Sequence, residues 1–156
     1  MFRISRRLDY GLQLMIALAN EPEAKPQSTA SLAEKLQIPL PFLHQIGHML
    51  MQAGLIKASP GPHGGIRLNR QPDTITALQI VEVLEGPIAL QPCPDCSENC
   101  ERFTVCSSQF AWNELQEVVV NYLGGVRLDT LAQTAQSLPV FNMQMVPQKS
   151  ETINLS

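Results

Sequence analysis

No run of about eighteen apolar residues occurs in the 156-residue chain, which excludes a membrane-spanning helix of ordinary length. The opening residues, Met1-Phe2-Arg3-Ile4-Ser5-Arg6-Arg7, pass into an amphipathic pattern without the apolar block and small-residue cleavage site of a secretory signal, so a cytoplasmic protein is expected. No Ser/His/Asp or Cys/His set stands at telling positions, and an enzyme is not expected. The glycine-rich stretch 61–65 lacks the Lys-Ser/Thr ending and the following helix that a phosphate-binding loop needs. Cysteine is absent from residues 1–92 and again from 107–156.

All four cysteines therefore fall in one stretch, Cys93-Pro-Asp-Cys96-Ser-Glu-Asn-Cys100-Glu-Arg-Phe-Thr-Val-Cys106. Cysteines serving as small core hydrophobes would be scattered through the apolar periods, whereas these crowd into a polar loop. In a reducing compartment such a cluster reads as a metal or redox site rather than as structural disulfides. An iron–sulfur cluster, a zinc ion and a metal-free thiol switch are the candidates, because soft thiolates suit the first two and are the reactive form in the third.

A formal net charge of −3 by itself disfavours nucleic acid, but its distribution reverses that impression. Residues 3–70 hold eight Lys/Arg against four Asp/Glu, and residues 86–156 hold three against seven. Phosphate attraction follows the local field, so a basic first half remains compatible with DNA.

The apolar pattern predicts a mainly α chain with a small β-wing. Leu8, Leu12, Met15, Ile16 and Leu18 mark a first helix from Ser5 to about Asn20, ended by Pro22 and Pro26. A short second helix follows the N-cap candidate Ser28, with Ser31 and Glu34 at capping-box spacing for a slightly later start. Pro39 and Pro41 interrupt, and a third helix begins near Pro41 with Phe42, Leu43, Ile46, Met49, Leu50 and Ala53, closed by Gly54. Two short helices, the second with His44, Gln45 and His48 on its outer side, make a helix-turn-helix pattern; an αα-hairpin without a DNA role is the plain alternative. Alternating runs 55–59 and 66–68 around a Gly/Pro turn then read as a hairpin, the wing of a winged helix, with His63 and Gly64 at its tip. Thr76 to Glu85, with Ala77, Ile80, Val81 and Leu84 inward, is a further helix ended by Gly86-Pro87. After the cysteine loop, Phe110, Leu115, Val118, Val119, Tyr122 and Leu123 mark a long helix whose apolar stripe implies a partner helix.

Four segments follow: a winged helix-turn-helix over 1–86, a cysteine-rich loop over 87–106, a dimerisation helix with a following short helix over 107–138, and a loose tail over 139–156.

The stretch Ile38-Pro-Leu-Pro-Phe42-Leu43-x-Gln45-Ile46, followed by Ala53-Gly54-Leu55-Ile56-x-Ala-Ser-x-Gly61-Pro62-x-Gly64-Gly65-x-x-Leu68, resembles the IscR/NsrR/RirA-type family of bacterial winged-helix transcriptional regulators. The likeness spans about residues 1–135 and includes Asp9-Tyr10-Gly11-Leu12 in the first helix. It implies a homodimer on a near-palindromic operator, holding in many members a [2Fe–2S] or [4Fe–4S] cluster on three cysteines, with iron, redox or nitric oxide status as the signal. Cys100 and Cys106 match the family's last two ligands, and Cys93 fits the first better than Cys96. A histidine that some members place three residues after the last cysteine is Gln109 here, leaving Asp9, a carboxylate that other members supply from the partner's first helix, or Cys96 as fourth ligand. The start of helix three also departs from the family, with Pro39, Pro41, Phe42 and His44 where serine, tyrosine and glutamate are common, and Pro60 stands where the wing often has arginine. Arg67 or His63 then become the minor-groove candidates, and Arg3, Arg6, Arg7, Ser28, Pro41, Phe42, His44, Gln45, His48 and Gly64 complete the DNA-facing set.

The competing readings are a zinc-containing regulator, a thiol-switch regulator without metal and, from a different class, an iron–sulfur electron carrier or scaffold, for which the wing and helix three would have no use. His44 and His48, one turn apart, read as DNA contacts or solvated groups before metal ligands, and Trp112 with the valines at 118–120 reads as packing surface.

Overall fold

The structure, a computed structural model, describes residues 4–21, 25–61, 64–90 and 107–137. Six α-helices and one antiparallel hairpin are present among them.

Helix α1 (Arg6–Ala19) starts where the Ser5 hydroxyl accepts the Leu8 N–H at 3.1 Å. It buries Gly11, Leu14, Met15 and Leu18, with Leu8, Leu12 and Ile16 half-buried along the same stripe. At Gly11 a Cβ would run into the Leu84 side chain, so glycine is what lets α1 pass close to the helix carrying Leu84. Helix α2 (Thr29–Leu36) begins directly after Ser28, whose side chain makes no capping bond. Ser31 already lies inside that helix, so the Ser31/Glu34 capping box does not form; the start is three residues earlier than the box requires. Helix α3 (Leu40–Gln52) carries Pro41 in its first turn, where a missing N–H costs nothing, and buries Leu43, Ile46, Gly47 and Leu50. Its end is a Schellman turn: Gly54, at φ +70°, donates to the Met51 carbonyl at 2.9 Å, and buried Leu55 donates to Leu50 at 3.0 Å.

Strands β1 (Ile56–Ser59) and β2 (Gly65–Leu68) pair from Ile56 opposite Leu68 to Ser59 opposite Gly65. Ile56, Ile66 and Leu68 face the core, putting Lys57 and Arg67 together on the other face. Gln27 adds a further rung, exchanging N–H···O bonds of 2.9 Å with Ile66 in both directions. A Cβ at Gly65 would meet the Gln27 carbonyl, which is backbone and cannot move aside cheaply. Gly65→Ala is therefore expected to break this rung and destabilise the fold by about 2 kcal/mol, two hydrogen bonds' worth, read as a lower urea midpoint at unchanged slope.

A single 3₁₀ turn (Pro72–Thr74) leads to helix α4 (Ala77–Glu85), which starts with a reciprocal capping box between Thr76 and Gln79, both bonds 3.3 Å. Helix α5 (Ser107–Gly125) packs against α4. The chain then returns: Ala77 N–H donates to the Val126 carbonyl at 2.8 Å and Leu128 N–H to Ile75 at 2.9 Å. Helix α6 (Leu128–Ser137) buries Leu128 and Ala132 and lies on α1, where the Gln136 side chain donates to Asn20 at 2.6 Å. The fold class expected from the apolar pattern, mainly helical with a two-stranded wing, is the one observed.

Candidate nucleic-acid interface and cysteine segment

On α3 the residues three and four apart that face away from Leu43, Ile46, Gly47 and Leu50 are Pro41, His44, Gln45 and His48, and all four are exposed. They form one continuous outer face, extended at its N-terminal end by Leu40, which is 38% exposed. His44 is held by α2: its Nε2 lies 3.3 Å from the Thr29 hydroxyl, which ties the two helices together at this face. Thr29 was not foreseen as a site residue; its place in the first turn of α2, one residue after the exposed Ser28, was the available signal. Phe42 turns the other way. It is half-buried, with its ring edge-on to Tyr10 of α1 at 5.7 Å, so its role is to seat α3 on α1.

Of the cationic candidates, Arg6 is exposed, whereas Arg7 is engaged. Its Nε donates to Glu85 at 3.1 Å, and the same carboxylate oxygen accepts the Ser5 hydroxyl at 2.6 Å. The Ser5 and Arg7 hydrogen bonds hold the Glu85 carboxyl below the usual glutamate range. A depressed carboxylate contributes stability that is present above its unfolded pKa, about 4.3, and lost as pH falls through the lower folded value. Glu85→Gln is thus expected to lower the thermal midpoint slightly at pH 7, with the difference from the parent shrinking as pH falls below about 4.3 and gone only once the folded carboxyl is itself protonated; a gap that persisted in stronger acid would assign the effect to shape rather than charge. Arg67 of the wing is half-buried and its Nε donates to the Ser59 hydroxyl at 3.1 Å. Gly64 lies at the turn, donating to Gly61 at 2.9 Å, with no room for a Cβ beside the Ser59 carbonyl. Arg3 and His63 lie outside the described residues.

So do Cys93, Cys96, Cys100 and Cys106. The described chain brackets them closely: α4 ends at Glu85, Leu90 N–H donates to the Gln116 side chain of α5 at 3.1 Å, and α5 begins at Ser107. Asp9 is exposed on α1 and accepts a 3.0 Å hydrogen bond from Gln13. Among the described residues no three His, Cys, Asp or Glu side chains converge on a metal position, so His44 and His48 gain no third ligand there. The donor set fits a thiolate-bound metal group by its chemistry: three or four soft thiols within fourteen residues. On α5, Phe110, Val118 and Tyr122 are 76%, 58% and 71% exposed, and Trp112 and Leu115 are open on the same helix. No helix among the described residues is long and apolar enough to cross a membrane.

This arrangement matches known proteins along nearly its whole length. Residues 4–134 match the Rrf2 family, described as an iron-dependent transcriptional regulator. The HTH-type transcriptional regulator CymR of Bacillus subtilis is 34% identical over 130 residues, 83% of this chain and 89% of that protein. Its solved structure, the global cysteine regulator of B. subtilis, superposes with a TM-score of 0.73 over 86% of this chain and 98% of the other. The regulator IscR of Aliivibrio salmonicida is 28% identical over 78% of this chain and 72% of its own, and the structure of T. potens IscR gives a TM-score of 0.71 at 26% identity, covering 88% of this chain and 93% of that one. With the helix-turn-helix, the wing and this match over residues 4–134 in agreement, the chain belongs to the Rrf2 family and is a DNA-binding transcriptional regulator, not an enzyme.

Proposed function

We propose that this regulator acts as a homodimer on a near-palindromic operator and that an iron–sulfur cluster on Cys93, Cys100 and Cys106, with Asp9 or Cys96 as fourth ligand, controls its affinity for DNA. The observation that carries the reading is the position of the thiol segment, set between the end of α4 and the start of α5. The Glu85 carboxylate at the α4 end is joined to Ser5 and Arg7 at the start of α1, the helix that also bears Asp9 and seats Phe42 of α3. Changes at the thiol segment thus have a short packed route to the α3 face. The cluster would supply redox- and nitric-oxide-sensitive chemistry; everything else falls to the chain's own residues. Pro41, His44, Gln45 and His48 meet base edges and sugars in the major groove, Arg6 and Arg3 meet phosphate, Ser28 lies at the rim of α2, and the wing tip with His63 and Gly64 approaches the minor groove. An apolar face on α5 supplies the contact between the two subunits, which places two α3 helices a helical turn of DNA apart.

A second reading has one specific support, the 34% identity to a protein described as a global cysteine regulator. There the same thiols answer oxidation directly, or hold zinc, and operator binding follows without a cluster. Anaerobic purification with a visible spectrum and iron, sulfide and zinc analysis on one sample separates them. Brown protein with iron and acid-labile sulfide supports the cluster; colourless protein from iron-replete cells, with about one zinc per chain or none, removes it.

A further inference from the structure

A recess of about 710 Å³ lies between the C-terminal end of α1 and the hairpin, in the size range of small-molecule sites. Its apolar floor includes Leu18 and Leu68, and its walls carry Lys57, Arg67 and Arg70 against Glu21, the one carboxylate among its described lining residues. The strand register sets Lys57 directly opposite Arg67 on the same face, and like charges in that position repel. No salt bridge among the described residues relieves them. Two of the three cations are nonetheless fixed: Arg67 by its Nε bond to Ser59 at 3.1 Å, and Arg70 by donation from Nη2 to the Thr74 carbonyl at 2.9 Å. Each guanidinium has five N–H donors, so both keep donors for a ligand, and the half-buried Lys57 ammonium brings three more.

We propose that this recess binds a small dianion, a dicarboxylate or a phosphorylated compound, through Lys57, Arg67 and Arg70. Among the described residues, three cations against one carboxylate leave an excess that a dianion balances, and the half-burial of Lys57 and Arg67 strengthens their charge-assisted bonds relative to open solvent, while Arg70 is exposed. The ligand would touch both strands of the wing, the segment after β2 and the end of α1, and so restrain the wing relative to the body that carries α3. This proposal does not depend on which group the cysteines hold. It also assigns Arg67 to the recess in the DNA-free protein.

The test titrates the full-length, isotopically labelled protein with inorganic phosphate and, separately, with succinate, holding ionic strength constant with chloride. Saturable shifts of the Lys57, Arg67, Asn69 and Arg70 amides are expected with one or both probes. Lys57→Gln and Arg67→Gln should each weaken binding about tenfold or more, the loss of a hydrogen bond to a charged group, while Lys35→Gln, exposed on α2 outside the recess, should leave it unchanged. Absence of saturable shifts with both probes, or unaltered affinity in Lys57→Gln, overturns the proposal. A protein that binds neither probe, while Lys57→Gln and Arg67→Gln weaken DNA of every sequence and reduce the salt slope by about one each, would identify these cations as DNA backbone contacts instead.

Discussion

Replacing Cys100 or Cys106 by serine is expected to cut the iron and sulfide content of anaerobically purified protein by about tenfold or more and to leave operator affinity indifferent to iron supply. The argument is one of donors. Serine keeps the volume and removes the soft thiolate, and a ligand set reduced from three cysteines to two no longer competes for an iron–sulfur group in the cell. The same substitutions lie far in sequence from the helix-turn-helix, so the thermal midpoint of the metal-free protein should be nearly unaltered. Asp9→Ala and Cys96→Ser divide the remaining question. Asp9 is exposed and bonded only to Gln13 among the described residues, so its loss has little structural cost; a bleached Asp9→Ala protein beside a brown Cys96→Ser protein would assign the fourth position to the carboxylate, and the reverse to the thiol. If iron and sulfide persist at parent levels in both Cys100→Ser and Cys106→Ser, the cluster reading fails. If neither parent nor variant carries iron but oxidant still changes operator binding of the parent alone, the thiol-switch reading takes its place.

How far these sites could be read from sequence depended on whether the deciding contact was local. The outer face of α3 was legible because positions 41, 44, 45 and 48 repeat every three or four residues, and a helix fixes their common direction whatever surrounds it. Phe42 lies next to that face in sequence, yet its direction is settled by Tyr10 from another helix, which no local period reveals. Arg7 looked like a phosphate contact for the same reason: its partner, Glu85, is 78 residues away. Gly54 and Gly86 were legible as helix ends, and both take positive φ, at +70° and +88°. Gly65 was legible only as part of a turn; the need for glycine there comes from the Gln27 carbonyl, a contact that exists only once the strands are in register. Ser31 and Glu34 matched a capping box by spacing, but Thr29, Ala30 and Ser31 itself are helical, and spacing alone does not choose between two starts three residues apart. The return of α6 onto α1 was hidden because just Leu128 and Ala132 are buried in it, too few to announce a packing face. Lys57 escaped notice because its significance arises from Arg67 opposite it, a matter of register.

Val118→Glu combined with Tyr122→Glu is expected to convert the protein to monomers and to lower operator affinity by about 100-fold or more, the effect of two carboxylates in a desolvated subunit contact. Both side chains project from α5, at 58% and 71% exposure, and Phe110 at 76% continues the surface toward the N-terminal end of the helix. Among the described residues, the large apolar side chains exposed outside α5 are Ile4 and Leu40, whereas Leu14, Met15, Leu50, Ile75 and Ile80 are fully buried, so α5 concentrates the exposed apolar surface. Because Val118 and Tyr122 already meet solvent in the single chain, the double substitution should shift the unfolding free energy of the monomer by no more than about 0.5 kcal/mol, so loss of folding does not confound the result. The affinity loss follows from geometry: one α3 helix reads one half-site, and two linked helices gain from binding the second half-site intramolecularly. Sedimentation equilibrium on the full-length protein and binding to a two-half-site operator read the two consequences separately. Dimers in the double variant would place the subunit contact elsewhere, and monomers that bind as tightly as the parent would show that a single helix-turn-helix suffices.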